Sequence, residues 1–296
     1  MNLRGLEHIV KENFLLSSVS SMKTGGRAEL AFFPGNEDEF VETLVRTSGH
    51  KARYIIGNAS NVLFPDDASG LCIIFTSDMN KTLKKESLCI YAECGAMLTA
   101  VSVLAKEASL SGLEFAYGIP GTVGGGIYMN AGAYGGELSQ VVKNIRAYDS
   151  ANDRFILLSG DECKFSYRHS IFMEKPELAV MGAEFALKVG EREDIEALCR
   201  KNMQSRREKQ PLEYPSCGSA FKRPEGNFAG KLIEDCGLKG FCIGKAAVSE
   251  KHAGFIINLG GATSADVKAL ILVIKNRVYN KFGVELQPEI QIIENK

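Results

Sequence analysis

The chain has 296 residues, 45% of them hydrophobic. At roughly 100–200 residues per domain, that length fits two or three domains with real cores. Charged residues make up 24% and the formal net charge is -1. Such a balance gives no field for gripping nucleic acid or an acidic membrane surface, so neither is expected as a partner.

The N-terminal stretch MNLRGLEHIVKENF scatters charges through its length and has no apolar h-region. No run approaches the roughly 18 apolar residues needed to cross a bilayer, so a soluble, cytoplasmic protein is expected. The eight cysteines form no CxxC pair and no Cys/His grouping with zinc spacing, so no metal site is expected. Cys72 (in LCIIF) and Cys89 (in LCIYA) sit in strand-like apolar runs, where a reduced thiol packs as a small hydrophobe.

In chain order, ELAFFP (29–34) reads as a strand. NEDEFVETLVRTSG (36–49) reads as a helix with an Asn cap and acids in its first turn. ARYIIG (52–57) and LCIIF (71–75) read as buried strands. SLCIYAECG (87–95) opens a second module, followed by a helix over 97–109 and a long glycine-rich stretch. Strands are then expected at 144–149, 154–159 and 178–189, and a charged helix at 193–210. The break QPLEYP (210–215), with two prolines, marks a domain junction. The last third predicts a strand over 245–258, a helix over 264–283 and a closing strand over 284–293. In that helix Val267, Leu270, Ile271, Ile274 and Val278 fall at helical spacing, with Gly283 as a suitable stop. The pattern is α+β in three modules.

Two segments suit a dinucleotide. In GNASNVLF (57–64), Gly57 permits a tight turn, while Asn58, Ser60 and Asn61 supply short polar groups beside exposed backbone N–H donors. Alone, such a segment is more often an ordinary turn. GIPGTVGGGIYMNAGAYGG (118–136) is harder to explain that way, because it has eight glycines in nineteen residues. That glycine content is expensive in backbone entropy unless something must lie against bare backbone, and a diphosphate is the usual reason. Ile119, Pro120, Val123, Ile127 and Met129, interleaved with the glycines, point to a loop packed into the protein rather than a flexible one. Neither segment has the spacing of a Rossmann GxGxxG.

TGG (24–26), GNASNVL (57–63), GIPGTVGGGIYMNAGAYG (118–135), SYRHSIF (166–172), PSCGSAF (215–221), SEKHAGFIIN (249–258) and QPEI (287–290) occur in this order. Together they resemble the UDP-N-acetylenolpyruvoylglucosamine reductase family, the second enzyme of peptidoglycan precursor synthesis. The resemblance covers almost the whole chain. It implies FAD as cofactor, NADPH as hydride donor and a UDP-sugar enol ether as substrate. The implied fold is two α+β FAD-binding subdomains of the vanillyl-alcohol-oxidase type, at 1–80 and 81–210. A smaller α+β substrate-binding domain at 211–285 and a C-terminal strand at 286–296 would complete a monomer. Gly57, Asn58, Ala59, Ser60 and Asn61 would hold the FAD pyrophosphate, together with Gly118, Ile119, Pro120, Gly121, Thr122, Gly124 and Gly125. Asn130, Ala131 and Gly132 would lie near the flavin and its ribityl chain.

Reducing an enol ether beside a carboxylate needs a hydride, a cation for the enolate-like charge, and a proton. The resemblance assigns the cation to Arg168 in SYRHSIF, whose fork can bind a carboxylate bidentately; without the flanking motif it reads as a surface arginine. It assigns the proton to Ser219, although a neutral hydroxyl is a poor acid and a serine after Gly218 is otherwise a turn residue. Glu289, in an otherwise apolar strand, becomes the third catalytic group. Cys217 is a chemical rival to Ser219 that nothing nearby marks as activated. Lys222, Arg223, Lys251 and His252 are candidates for the uridine diphosphate, and His252 equally for a structural role.

Some relatives carry an inserted loop with a tyrosine that covers the substrate. Here the 178–189 strand passes through VGERED directly into the next helix, which is the shorter form. Two other readings remain open: an alcohol oxidase of the same fold, and a nucleotide-binding module that has lost its chemistry. The oxidase would want a larger cap and often a flavin-linked histidine, and no histidine lies in the glycine-rich segments. The joint presence of Arg168, Ser219 and Glu289 weighs against the module.

Overall fold

The computed structural model describes residues 3–295. The chain divides into two compact units that interleave in sequence. The first takes residues up to 11, 31–58 and 72–206, and the second takes 12–30, 59–71 and 207 onward.

The first unit is built on a five-stranded antiparallel sheet ordered Arg154–Ser159, Val142–Asp149, Leu178–Ala186, Cys89–Glu93, Leu83–Glu86. Strand alternation sends Ile90, Ala92, Ile145, Ala183 and Phe185 into one core. The helix Leu98–Glu107 lays Leu98, Val101 and Ala105 on the same core, and its buried Ser102 hydroxyl is satisfied by the Leu113 carbonyl at 2.8 Å. The helix Glu37–Arg46 begins where the Asn36 side chain accepts from the Glu39 N–H at 3.0 Å, with three acids in its first turn. One of those acids, Glu37, accepts from both terminal guanidinium nitrogens of Arg146 on the sheet. Arg53–Ile56 and Cys72–Phe75 pair in parallel, and all four residues of the second are buried, as a continuous apolar run in a parallel pair should be.

The second unit holds a four-stranded antiparallel sheet ordered Ser216–Ser219, Phe255–Asn258, Ala246–Val248, Cys242–Ile243. The helix Ser264–Phe282 packs on its core through Val267, Leu270, Ile271, Ile274 and Val278, the five positions its spacing predicts. Each such burial is worth about 1.5–3 kcal/mol. Thr263 and Asp266 form a capping box at its start, and the Asp66 carboxylate accepts from the Ser264 and Ala265 amides at 2.8 and 2.9 Å. Gly283 ends it at φ 67, the left-handed stop expected of a glycine there.

Three expectations change. The segment 245–258 is not one strand but the pair Ala246–Val248 and Phe255–Asn258, because Ser249 folds the chain back: its hydroxyl accepts from the Lys251 and His252 amides at 3.2 and 3.3 Å. The closing strand shrinks to Gln291–Ile292, paired in parallel with Val62–Leu63; Glu289 lies before it, outside any strand. The glycine-rich stretch is not all loop. It contains the helix Val123–Met129, which Thr122 caps and which buries Val123 and Ile127 completely. Only residues 187–191 separate Leu178–Ala186 from the helix Arg192–Lys209, and Lys188–Val189 among them pairs with Leu110–Ser111. Among the described residues no helix is long and apolar enough to cross a membrane.

Candidate active site

In the first unit, the loop at 57–58 and the stretch from 118 meet directly. The Asn58 amide donates to the Pro120 carbonyl at 2.7 Å. A Cβ on Gly57 would fall 2.2 Å from Thr122 Oγ1. Close approach, not a tight turn, is therefore what requires glycine at 57; the left-handed residue of this loop is Ala59, at φ 46. Gly124 and Gly125 stand in the first turn of the helix Val123–Met129. Their amides are occupied, Gly124 by the Cys94 carbonyl at 2.9 Å and Gly125 by Thr122 Oγ1 at 3.3 Å. A Cβ at 124 would meet Cys94 Cβ at 3.1 Å, so this glycine lets the helix lie on the 94–98 segment rather than offering a phosphate its N–H.

The far end of that helix carries Asn130, fully buried and left-handed at φ 43. Its side chain accepts from the Ser139 amide at 2.9 Å and donates to the Ser166 carbonyl at 3.0 Å. Ser166 and His169 bond each other's backbones, which leaves Tyr167 and Arg168 at the tip of a tight turn. Ser170 locks the turn down, its buried hydroxyl donating to the Tyr128 carbonyl at 2.8 Å. Arg168 is itself left-handed, at φ 55, an uncommon state for a residue with a side chain. Its guanidinium donates to the Gly132 and Asn130 carbonyls at 2.9 and 3.5 Å and lies 4.8 Å from the Tyr167 ring centroid. These two main-chain carbonyls orient its planar fork. The expected cation and the expected flavin-contact segment 130–132 are thus one hydrogen-bonded assembly.

In the second unit, Ser219 ends its strand exposed to solvent, opposite Phe255. The register shifts between Ser216 and Ser219, and Gly218 in that irregularity sits at φ 74 with nothing within 4 Å of a Cβ. The next residue, Ala220, donates its amide to Gly254 at 2.8 Å and accepts the Glu289 amide at 2.9 Å. Phe221 pairs with Pro288, and the Lys222 amide donates to the Gln287 carbonyl at 2.8 Å. The Glu289 carbonyl accepts from the Asn61 side chain at 3.1 Å, and the Asn61 carbonyl accepts the Gln291 amide at 2.9 Å. Asn61, Ser219, Lys222 and Glu289, distant in sequence, are therefore backbone neighbours, and Glu289 is half-buried there.

Cys217 is out of contention as a nucleophile. It is buried, its thiol donates to the Val62 carbonyl at 3.2 Å, and burial pushes its pKa up to about 12. The turn at 249–254, whose Gly254 holds Ala220, also carries Lys251 and His252. Lys251 Nζ donates to the Arg207 carbonyl at 2.8 Å. The His252 ring accepts the Gly254 amide at 3.1 Å and meets Phe255 edge-on at 5.0 Å, and burial holds its pKa below the usual histidine value. Arg223 lies 4.1 Å over the exposed Phe228 ring.

Sequence reasoning missed Ser166 and Ser170, which fix the Arg168 turn; serines in a motif give no signal until their acceptors are known. It also missed Thr24 of TGG. That hydroxyl is 2% exposed as a residue and has no partner among the described residues, while Ser21 just before it donates its amide to Ala59 at 3.3 Å. A buried hydroxyl without a partner suits a polar ligand better than an empty turn. Among the described residues no group of three His, Cys, Asp or Glu could hold a metal ion.

Residues 28–156 match an FAD binding domain, and residues 210–293 match the UDP-N-acetylenolpyruvoylglucosamine reductase C-terminal domain. A UDP-N-acetylenolpyruvoylglucosamine reductase of Caldicellulosiruptor bescii is 49% identical over 94% of this chain and 88% of its own length. One from Lactobacillus johnsonii is 45% identical over 99% of this chain and 97% of its own. The crystal structure of UDP-N-acetylenolpyruvylglucosamine reductase from Thermus caldophilus superposes with a TM-score of 0.80 at 29% identity, covering 95% of this chain and 97% of that one.

Proposed function

Because the chain belongs to the UDP-N-acetylenolpyruvoylglucosamine reductase family, we propose that it catalyses the FAD-dependent, NADPH-using reduction of UDP-N-acetylglucosamine enolpyruvate to UDP-N-acetylmuramate for peptidoglycan synthesis. It does so as a cytoplasmic monomer, with residues 1–80 and 81–210 as FAD-binding subdomains. Residues 211–285 serve the substrate, and 286–296 carry Glu289. FAD supplies the hydride, taken beforehand from NADPH.

Arg168 grips the substrate carboxylate. Its side chain is held by the Asn130 and Gly132 carbonyls, so its fork is oriented before substrate arrives and little reorganisation is needed as negative charge grows on the carboxylate. Ser219 holds the proton that goes to the carbon next to that carboxylate. A hydroxyl acid works only against a strongly basic carbanion and with help from nearby groups. Glu289, tied to the residue after Ser219, orients that help. Asn58, Ser60, Asn61 and Thr122 bind the cofactor with the backbone of 118–122. Lys222, Arg223 and Lys251 bind the uridine diphosphate, and His252 supports the turn beside them as a neutral ring.

The observation that carries this reading is the backbone bond from Glu289 to Ala220, which makes neighbours of two motifs that share no sequence proximity. Stopped-flow absorbance tests it. Ser219→Ala is expected to reduce its flavin with NADPH at near the wild-type rate and to lose about 10²–10⁴-fold in reoxidation by the enolpyruvyl sugar. Equal slowing of both half-reactions would make Ser219 structural.

A further inference from the structure

Arg206 stands in the last turn of the helix Arg192–Lys209, packed on the first residue of the glycine-rich stretch. A Cβ on Gly118 would meet its Cδ at 3.1 Å and its Nη1 at 3.3 Å. The position is fixed from the same helix: the buried Asn202 side chain donates to the Glu114 carbonyl at 3.2 Å. Burial pulls the Arg206 pKa below the usual arginine value, opposed by the nearby Tyr134 hydroxyl.

The other partly buried arginines of this unit have acceptors. Arg53 has the Leu44 carbonyl at 2.8 Å, Arg146 has Glu37, and Arg168 has Gly132 and Asn130. Arg206 has no hydrogen-bond acceptor and no carboxylate among the described residues. A guanidinium drawn out of water without a counter-charge is destabilising, because nothing replaces the lost hydration. Such a group, set beside a ligand loop, marks where a ligand's negative charge arrives.

We propose that Arg206 is a cofactor-binding residue that meets the negative charge of FAD. The inference rests on the reading of 118–125 as a cofactor segment. FAD offers two sources of that charge: the diphosphate, always present, and the N1–C2=O edge of the isoalloxazine, which becomes anionic on reduction.

The test is titration of apoprotein with FAD in wild type, Arg206→Met and Arg206→Lys, with the midpoint potential of each holoprotein. If the diphosphate is the source, Arg206→Met binds oxidised and reduced FAD about 10–100-fold more weakly, the usual value of a charge-assisted contact, and the potential stays put. If the isoalloxazine edge is the source, only reduced FAD loosens by that factor, and the potential falls by about 30–60 mV at 29.6 mV per tenfold for two electrons. Arg206→Lys, which keeps the charge, recovers part of either loss.

The apoprotein gives a readout that a structural arginine would not. Arg206→Met apoprotein is expected to melt at or above the wild-type temperature, since an unpaired half-buried cation has been removed. Wild-type affinity and potential in Arg206→Met overturn the proposal, as does a destabilised apoprotein whose FAD affinity is unchanged. Should Arg206→Met fail to fold, Arg206→Gln takes its place, and FAD binding there equal to wild type overturns the proposal in the same way. A wild-type chain that takes up no FAD would overturn both this inference and the reading of the loop beneath it.

Discussion

Arg168 and Ser219 are seated in opposite ways. Arg168 is a left-handed residue with a long side chain, held by its own bonds to Gly132 and Asn130 and by a turn pinned through Asn130 and Ser170. Ser219 takes an ordinary conformation on an exposed strand end, and the unusual backbone is delegated to Gly218 before it. A flexible cation needs many tethers to be worth its charge. A hydroxyl on Cβ points wherever its backbone points, so one glycine suffices.

If that contrast is right, the largest effect of a small change belongs to Ser219→Ala. It is expected to abolish about 10²–10⁴-fold of flavin reoxidation while leaving the thermal midpoint within a degree or two of wild type, because the side chain is exposed and supports nothing. A large drop in the midpoint would show that the strand end depends on the hydroxyl. Arg168→Lys comes next: it keeps the charge and loses the fork, and about 10–100-fold in kcat/KM should go with it. Steady-state kinetics that match wild type would remove the bidentate role.

The tethers themselves can be cut. Asn130→Ala strands the Ser139 amide, takes one of two donors from the Ser166 carbonyl and puts an alanine at a left-handed position, and should cost about 2–4 kcal/mol in urea unfolding. Gly218→Ala should cost only about 1–2 kcal/mol, all of it backbone strain, since a methyl there meets open space. A Gly218→Ala loss as large as that of Asn130→Ala would collapse the distinction.

The smallest effect concerns pH. His252 is held below its ordinary pKa by burial, so the unfolded chain protonates first as pH falls. Its contribution to stability is complete above the usual histidine value of about 6.5 and is lost as pH drops below it toward the folded-state value. Denaturant midpoints at successive pH values should show this slope in wild type and lack it in His252→Gln.

Much of the fold was legible because periodicity and burial agree. Val267, Leu270, Ile271, Ile274 and Val278 repeat at helical spacing and all face the core, Asn36 caps its helix with its side chain, and Gly283, with no Cβ, stops its own in the left-handed region. The misread stretches are those where a local rule lost to a distant partner. FIIN and KAAV are each good strand sequences, and only the Ser249 hydroxyl, turned onto its own backbone, separates them. VGGGIYM is a poor helix by propensity; it forms because Thr122 caps it and because glycines let it rest on Cys94. The site motifs could be found in the sequence, but their physical reasons could not. Nothing within GNASNVL says that Gly57 answers to Thr122, and no spacing shows that Glu289 bonds Ala220 or that Arg206 lacks an anion.

The pairing of Val62–Leu63 with Gln291–Ile292 has a consequence for how the protein is made. Asn61 and the Glu289 carbonyl it holds are separated by 228 residues. At about 5–20 residues per second, a ribosome takes roughly 10–45 s to synthesise that interval. The 59–64 loop is therefore without its partner for that whole time. A chain released before residue 287 would lack both the strand that pairs with Val62–Leu63 and the carbonyl that holds Asn61.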